Sequence, residues 1–163
     1  MTRILLTGAA GFIGSQLAER LLERGDAVIG VDNFDPFYPR SVKEGNLERS
    51  RGFPGFTFHE FDILEAEGFV SLLTPDTVVV HLAAKAGVRP SLRDPAGYLR
   101  VNVAGTQSVL DAARAAGVTR FVLGSSSSVY GDDTVPPFRE DAAAVHPISP
   151  YAATKRAAEL VLE

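Results

Sequence analysis

The sequence predicts an α/β fold with a doubly wound parallel sheet. Short runs of β-branched or apolar residues alternate with longer segments of helical periodicity, which is the pattern of successive β-α units. The run 77–82 is almost entirely apolar, as expected for a parallel strand covered on both faces. Right-handed crossovers between such units place helices on both sides of one sheet.

The elements follow one another in a regular order along the chain. Strands are predicted at 3–7, 27–32, 56–61, 77–82 and 120–123. Helical patterns cover 13–23, 41–50, 65–73, 98–116 and 150–163, and we expect Gly25 and Gly117 to end the first and fourth of these. Two polar, proline-containing stretches, 33–40 and 124–149, are predicted to be loops.

The composition excludes several classes of protein. The 163 residues suffice for one domain, and 45% apolar with 22% charged residues is typical of a globular protein. The net charge of −4 does not favour nucleic acid, and the absence of cysteine excludes a disulfide-stapled secreted fold and a thiolate metal site. Neither a signal peptide nor a membrane-length apolar run is present, so we expect a cytoplasmic protein with no metal and no membrane partner.

A glycine loop joins the first predicted strand to the first predicted helix. Gly8, Gly11 and Gly14 are spaced three apart in Thr-Gly-Ala-Ala-Gly-Phe-Ile-Gly, residues 7–14. Such a turn lets the backbone approach a pyrophosphate, and the helix N-terminus supplies free N–H groups and partial positive charge. Three glycines alone are also typical of a flexible turn, but their place at a strand-helix junction favours a dinucleotide site.

An acidic residue, Asp32, ends the second predicted strand. A carboxylate at this place can accept hydrogen bonds from the adenosine ribose hydroxyls, and it repels a 2′-phosphate. No arginine follows directly to reverse that repulsion, since the next one is Arg40. The sequence therefore predicts NAD as the cofactor, in preference to NADP.

Tyr151 and Lys155 lie four residues apart at the start of the last predicted helix, so they share one face. A nearby ammonium and the positive helix N-terminus both favour the phenolate, so the tyrosine can serve as a general base. An unplaced Tyr-x-x-x-Lys is more often a surface pair, but this one follows the fifth strand, where strand C-termini gather. The serines 125–128 directly after that strand are predicted either to face the ligand crevice or to form a flexible loop.

Together these motifs resemble the NAD-dependent epimerase/dehydratase family of the extended short-chain dehydrogenases/reductases. The resemblance implies a Rossmann-type sheet and an enzyme that oxidises and re-reduces C4 of a nucleotide sugar, with NAD regenerated. The matching elements span nearly the whole chain in the family's order: the glycine motif at 7–14, Asp32, Asp62-Ile63, His81-Leu-Ala-Ala84, Asn102, Ser125-Ser126, Val129-Tyr-Gly131 and Tyr151-x-x-x-Lys155.

The resemblance also implies roles for individual residues. Tyr151, Lys155 and Ser126 would be catalytic, and Asn102 would act structurally, between the central helix and strand four. The cofactor-binding set would be Gly8, Gly11, Phe12, Ile13, Gly14, Asp32, Asn33, Asp62, Ile63, Leu82, Ala83, Ala84, Lys85, Asn102, Tyr151 and Lys155. The substrate-binding set would be Lys85, Arg89, Ser126, Ser127, Ser128 and Tyr151.

Within the family the chain resembles UDP-glucuronate and UDP-glucose 4-epimerases, through residues 31–34, 86–91 and 151–155. Sugar-nucleotide dehydratases and other reductases are the alternative within the family. Dehydratases carry an acidic pair directly after the position of Ser126, where this chain has Ser127 and Ser128. The resemblance therefore favours epimerisation of a UDP-sugar. Lys85 replaces the glutamine expected in a glucuronate epimerase, and Arg89 could face a substrate carboxylate or lie on the surface.

Members of the family normally continue for a similar length, with two more strands and a smaller substrate domain. Residues 1–163 are therefore expected to be one NAD-binding Rossmann domain, truncated before those strands and before the substrate domain. Two non-catalytic alternatives are a pure NAD-binding module and a dimerising interaction domain. The resemblance implies a homodimer formed through the helices 98–116 and 150–163.

Overall fold

The computed structural model describes residues 1–132, 134–143 and 146–163, with residues 66 and 67 described by their backbone alone. Its five strands are all parallel and form one sheet in the order β3-β2-β1-β4-β5, which confirms the predicted Rossmann-type sheet. The strands are β1 Arg3–Thr7, β2 Ala27–Asp32, β3 Phe56–Glu60, β4 Val78–His81 and β5 Arg120–Leu123.

Six α-helices and three tighter or wider helical segments connect and follow these strands in the described residues. The α-helices are α1 Phe12–Glu23, α2 Arg40–Arg51, α3 Val88–Ser91, α4 Pro95–Leu99, α5 Thr106–Ala115 and α6 Pro150–Leu162. A 3₁₀ segment covers Ile63–Leu72, a π-helical turn covers Arg100–Gly105, and a 3₁₀ turn covers Ser127–Tyr130.

The contacts within the chain group it into two compact units. Unit 1 consists of Met1–Ala83 and Ser108–Gly124, and it contains the whole sheet, α1 and α2. Unit 2 consists of Ala84–Gln107 and Ser125–Glu163, and it contains α3, α4, the π-helical turn and α6. The sequence-based expectation of a single domain over residues 1–163 remains a prediction.

The register of unit 1 brings the carboxyl ends of the central strands to one edge of the sheet. Thr7, the last residue of β1, pairs with Val31 of β2 on one side and with His81 of β4 on the other. The chain order reverses between β1 and β4, and ligands of doubly wound sheets bind at such a reversal, outside the strand carboxyl ends. The interior beneath is apolar, with Leu5, Leu6 and other strand residues fully buried.

The predicted helix 98–116 is wrong at its start and in its interior. The helix begins at Pro95, because Asp94 caps it: Asp94 Oδ1 accepts the N–H of Gly97 at 2.9 Å, and proline fits the first turn. The helical path then widens into the π-helical turn Arg100–Gly105 before α5 resumes. A π-helical turn has no sequence signature of its own, so the pattern did not reveal it.

Two other segments differ from the predictions. The predicted helix 65–73 is a 3₁₀ segment that begins at Ile63 and bends at Glu65, where φ is −110° and ψ is 34°. The predicted loop 124–149 contains the 3₁₀ turn Ser127–Tyr130, while its positions 133, 144 and 145 lie outside the described residues. None of the helices in the described part of the chain has the length and apolarity that crossing a bilayer requires.

Candidate dinucleotide site and tyrosine-lysine pair

Two of the three glycines in the loop after β1 are required by close backbone contacts in unit 1. Gly8 has φ +73°, and a Cβ there would lie 2.8 Å from the amide nitrogen of Ala83. A Cβ on Gly14 would overlap the carbonyl oxygen of Gly8. Gly8 therefore lets β1 turn close beside the end of β4, and Gly14 lets α1 pack directly onto that turn.

The N-terminus of α1 is built to receive an anion. Gly11 is its N-cap residue, and in the described structure no side chain caps it and no acidic residue lies in its first turn. Phe12 and Ile13, the first two helical residues, are 74% and 68% exposed. The free N–H groups of this turn and the positive end of the helix dipole are thus open to a pyrophosphate. A Cβ on Gly11 would meet only Gly8 O, at 3.2 Å, so the turn itself tolerates a side chain there better than at Gly14.

Asp32, at the end of β2, is buried beside the glycine loop. Its Oδ2 accepts the backbone N–H of Ala10 at 3.1 Å, and its Oδ1 accepts the N–H of Phe34 at 2.9 Å. The ammonium of Lys43, a residue of α2, donates to Oδ1 at 3.1 Å. The carboxylate is therefore fixed in position by two backbone groups and one buried cation.

Three residues of the implied cofactor-binding set, Asn33, Asp62 and Ile63, lie together in unit 1. Asn33 Nδ2 donates to Asp62 Oδ2 at 3.1 Å, which joins the segments after β2 and β3. Asp62 Oδ1 accepts the N–H of Leu64 at 2.9 Å and so caps the 3₁₀ segment, in which Ile63 is buried. This pairing fixes the Asp62 carboxylate beside the buried Ile63.

A buried polar contact ties the end of β1 to the end of β4. Thr7 Oγ1 lies 2.6 Å from His81 Nδ1, and the N–H of Ala83 donates to the same hydroxyl at 3.2 Å. Thr7 and His81 are both almost completely buried, so they position the backbone at Leu82 and Ala83 and do not face a ligand directly.

In unit 2, α6 presents the tyrosine-lysine pair from a well-defined start. Ser149 Oγ accepts the N–H of Ala152 at 3.1 Å as the N-cap, and Pro150 occupies the first turn. The backbone N–H of Tyr151 donates to Ser91 Oγ at 3.1 Å. The Tyr151 ring packs edge to face against Tyr98, with centroids 6.3 Å apart.

Lys155, one turn after Tyr151, is 5% exposed. Burial lowers the pKa of its ammonium, and the nearby carboxylate of Glu159 acts in the opposite direction. A buried ammonium therefore lies one helical turn after Tyr151, on the same face of α6.

Asn102, in the π-helical turn, uses its amide group within unit 2. Its Oδ1 accepts the N–H of Lys85 at 2.7 Å, and its Nδ2 donates to Lys85 O at 3.0 Å and to Thr154 Oγ1 at 3.1 Å. Because the side chain is 1% exposed and makes these three bonds, Asn102 fits the structural role that the resemblance implies, and its contact with the cofactor remains a prediction.

The serines after β5 make different contacts. Ser125 Oγ donates to Glu159 of α6, and Ser126 Oγ accepts the N–H of Ser128 at 3.2 Å as the cap of the 3₁₀ turn. As a hydroxyl that accepts in this bond, Ser126 retains its own O–H for donation to a ligand. Ser127 is exposed, within the same turn.

The two cations implied at the substrate have different surroundings. Lys85 Nζ donates to Asp94 Oδ2 at 3.1 Å and lies 5.6 Å from the centroid of the Tyr98 ring. The N–H of Gly97 and then the Lys85 ammonium hold the pKa of Asp94 below its usual value. Arg89 is exposed in α3. Ala84, the first residue of unit 2, is half-buried.

Two residues at the glycine loop escaped the sequence reasoning. Lys43 contacts Asp32, and Asn46 Nδ2, one turn later in α2, donates to Ala10 O at 2.9 Å. A lysine four residues before Leu47 on the buried face of a helix was the available signal, since charged residues rarely occupy that face. No cluster of three or more potential metal-binding side chains occurs within residues 1–132, 134–143 and 146–163.

The glycine turn, the uncapped helix and the fixed carboxylate define a dinucleotide-binding α/β protein. The chain belongs to the NAD dependent epimerase/dehydratase family, whose profile matches residues 4–163. NAD as the cofactor, predicted from the sequence, is confirmed at the level of this family.

Several similar proteins are named as sugar-nucleotide enzymes. The UDP-glucuronate 4-epimerase of Thermodesulfobacterium geofontis is 42% identical over 159 residues, covering 96% of this chain and 49% of the relative. The structure of a Tyr-to-Phe variant of Bacillus cereus UDP-glucuronic acid 4-epimerase, with a fluorinated UDP-glucuronic acid and NAD, is 37% identical. It superimposes with a TM-score of 0.90 over 99% of this chain and 51% of that one.

A dehydratase is also similar in structure. The dTDP-glucose 4,6-dehydratase DesIV of Streptomyces venezuelae, with NAD bound, gives a TM-score of 0.86 at 35% identity, covering 98% of this chain and 50% of that one. The chain therefore spans about half the length of the relatives it matches.

Proposed function

We propose that this chain is the cofactor-binding and catalytic half of a NAD-dependent UDP-sugar 4-epimerase. The observation that carries the proposal is the buried ammonium of Lys155, one helical turn after Tyr151 at the capped start of α6. Burial of a lysine is costly, and a general-base tyrosine is the group that would profit from it. The family membership of the chain supports the same conclusion.

The residues of unit 1 fit the dinucleotide. The uncapped first turn of α1, with Gly8 and Gly14 allowing close approach, would hold the pyrophosphate. Asp32 would accept a hydrogen bond from the adenosine ribose, and Asp62 with Ile63 would contact the adenine.

The residues of unit 2 would move and hold the proton of the reaction. NAD, when bound, supplies the acceptor for the hydrogen that leaves C4 of the sugar. Tyr151, as phenolate, would take the proton of the 4-hydroxyl, while the O–H of Ser126 would donate to the same oxygen. After the 4-keto sugar has rotated in the site and taken the hydride back on its other face, Tyr151 would return the proton to the same oxygen. Lys155 would favour the phenolate and hold the nicotinamide ribose.

The serine run favours epimerisation over dehydration. Ser127 and Ser128 stand where dehydratases carry acidic residues, and the N–H of Ser128 is bonded to Ser126 Oγ. A serine hydroxyl cannot replace a carboxylic acid in acid-base catalysis at neutral pH. A UDP-hexose, with UDP-glucuronate and UDP-glucose as the first two candidates, is therefore the substrate we propose, and Arg89 is the cation available to a substrate carboxylate.

Cofactor binding is tested on the 163-residue chain by calorimetric titration with NAD and with NADP. We expect NAD to bind more tightly, and Gly11→Val to abolish binding because its side chain enters the space of the pyrophosphate. The variant should still melt cooperatively, because Gly11 is the member of the motif with the loosest surroundings. Absence of NAD binding by a cooperatively melting wild-type chain would contradict the proposal.

Turnover is tested on a fusion of this chain with the second half of the Thermodesulfobacterium geofontis relative. We expect interconversion of UDP-glucuronate or UDP-glucose with its C4 epimer, and a loss of at least about 100-fold in kcat for Tyr151→Phe with NAD still bound. A fusion that binds NAD but turns over neither sugar would instead support a non-catalytic NAD-binding module.

Homodimer formation is a second proposal, carried by apolar residues exposed on unit 2. Leu99 of α4 is 56% exposed and Leu160 of α6 is 53% exposed. Both lie on the helical segments that the resemblance assigns to a dimer. A dimer of these helices would bury them.

A further inference from the structure

The Asp32 carboxylate has little acceptor capacity left for a ligand. A carboxylate offers about four lone-pair sites, two on each oxygen. Its Oδ1 already accepts from the Phe34 N–H and the Lys43 ammonium, and its Oδ2 accepts from the Ala10 N–H. One site, on Oδ2, remains. Asp32 therefore cannot hold both hydroxyls of a ribose by itself, although both belong to one vicinal diol.

Lys43 supplies hydrogen-bond donors beside the Asp32 carboxylate. Its side chain is 8% exposed, and among the residues that the structure describes Asp32 is the one hydrogen-bond partner of the ammonium. An ammonium has three N–H donors, so two remain beside the carboxylate. Buried donors without partners cost free energy, and a ligand oxygen at this point would relieve that cost.

The other nearby cation is held by two other carboxylates. Arg40, three residues before Lys43 in α2, donates through two nitrogens to Glu60 at 2.9 and 2.7 Å and through Nε to Glu44 at 2.9 Å. Its guanidinium also stacks on the Phe34 ring, 4.2 Å from the centroid. These contacts fix the Arg40 guanidinium on Glu60, Glu44 and Phe34, whereas the Lys43 ammonium lies against Asp32 itself, so Lys43 is the cation next to the carboxylate that would bind the ribose.

We propose that Lys43 is a ribose-binding residue of the NAD site and a determinant of cofactor specificity. Its ammonium donates to one hydroxyl of the adenosine diol, while Asp32 Oδ2 accepts from the other. The pair thus offers one donor and one acceptor to the two hydroxyls of the diol. The inference rests on the proposed NAD site and deepens it.

The pairing of Lys43 with Asp32 changes the discrimination that we expect between NAD and NADP. An isolated carboxylate repels a 2′-phosphate, but an ammonium 3.1 Å from that carboxylate attracts it. Lys43 therefore weakens the discrimination that Asp32 provides. Replacing Lys43 by a neutral residue should reduce NADP binding more than NAD binding, so that the preference for NAD increases by about 3- to 10-fold.

The direct contact between Lys43 and the ribose is tested by a thermodynamic cycle, in which the Lys43 side chain and one ligand hydroxyl are removed separately and together. Dissociation constants of NAD and of its 2′-deoxyadenosine and 3′-deoxyadenosine analogues are measured by calorimetry for the wild-type chain and for Lys43→Met. We expect Lys43→Met to weaken NAD by about 10-fold, and loss of the contacted hydroxyl to cost the wild type about 10-fold but the variant less than about 2-fold. Equal cost of both missing hydroxyls in the two proteins would overturn the proposal, because Lys43 would then only support Asp32.

Matched variants keep the cycle interpretable. Arg40→Met removes an exposed cation from the same helix and should leave both hydroxyl costs at their wild-type values. If Lys43→Met fails to melt cooperatively, Lys43→Gln replaces it in the cycle, and the same criterion applies. A wild-type chain that does not bind NAD would contradict the proposed function, whereas NAD binding with unchanged hydroxyl costs would contradict the role of Lys43 alone.

Discussion

Lys155 carries a charge, proposed above to be functional, in a position that disfavours it. Burial lowers the pKa of the ammonium in the folded chain, so folding is opposed at neutral pH, where the unfolded chain carries the same charge in water. We predict that Lys155→Met raises the stability of the chain at pH 7 by on the order of 1 kcal/mol, or about 2–4 °C in Tm. Thermal unfolding of both proteins measures the difference.

The same residue predicts the pH dependence of that difference. Between the lowered folded pKa and the unfolded value of 10.5, the unfolded chain binds more protons, so wild-type stability gains with rising pH. The advantage of Lys155→Met should therefore shrink as the pH approaches 10.5. Lys155→Arg, which cannot lose its charge, should be less stable than Lys155→Met at every pH. A lower Tm for Lys155→Met than for wild type at pH 7 would refute this account.

Single residues could be predicted from the sequence where a local motif requires a particular backbone conformation or contact. The positive φ of Gly8 and the close approach at Gly14 follow from the strand-turn-helix context, and Asp32 lies where the motif requires an acid. Lys43 lies eleven residues further on, in a different helix, and only folding brings it to Asp32. Its role depends on a tertiary contact, which local sequence patterns do not encode.

At the scale of elements, the N-cap of α6 connects stability with the candidate site. Ser149 Oγ accepts the Ala152 N–H at 3.1 Å, and the first turn that it caps contains Tyr151. We predict that Ser149→Ala costs about 1 kcal/mol, measured by denaturant unfolding, and that Ser149→Asp retains most of the wild-type stability. Hydrogen exchange should show faster opening of the first turn of α6 in Ser149→Ala alone. Equal stability of all three proteins would contradict the capping role.

The bounds of strands and helices were predictable where the apolar pattern ends at a glycine or a polar residue. β1, β2 and β5 have their predicted bounds, because each is a short apolar run closed by a glycine or a polar residue. The π-helical turn Arg100–Gly105 was not predictable, since a π turn adds one residue without a signal of its own in composition. That turn contains Asn102, whose three hydrogen bonds join the segment after β4 to α6.

At the scale of the whole molecule, β5 is one end of the sheet. In the order β3-β2-β1-β4-β5 it has a single neighbour, and its Val122 is 53% exposed. The relatives of this chain are about twice as long. The parallel, doubly wound sheet was predictable from the alternation of strands and helices, because right-handed crossovers leave few topologies, but that alternation does not fix the strand order. The grouping into two units was not predictable, since it depends on contacts distant in sequence.

Association of two chains through unit 2 gives the last prediction. Leu99 and Leu160 are exposed leucines on α4 and α6, and burying their exposed halves in a dimer would contribute about 1 kcal/mol each per chain. We expect sedimentation velocity to show a monomer-dimer equilibrium for the wild-type chain at micromolar concentration. Leu99→Glu and Leu160→Glu should each shift it to monomer, because a carboxylate at a helix interface repels its counterpart. Val135→Glu, at an equally apolar and 83% exposed position outside these helices, should leave the equilibrium unchanged. A wild-type chain that stays monomeric at several hundred micromolar, or glutamate variants that still dimerise, would exclude these helices as the interface.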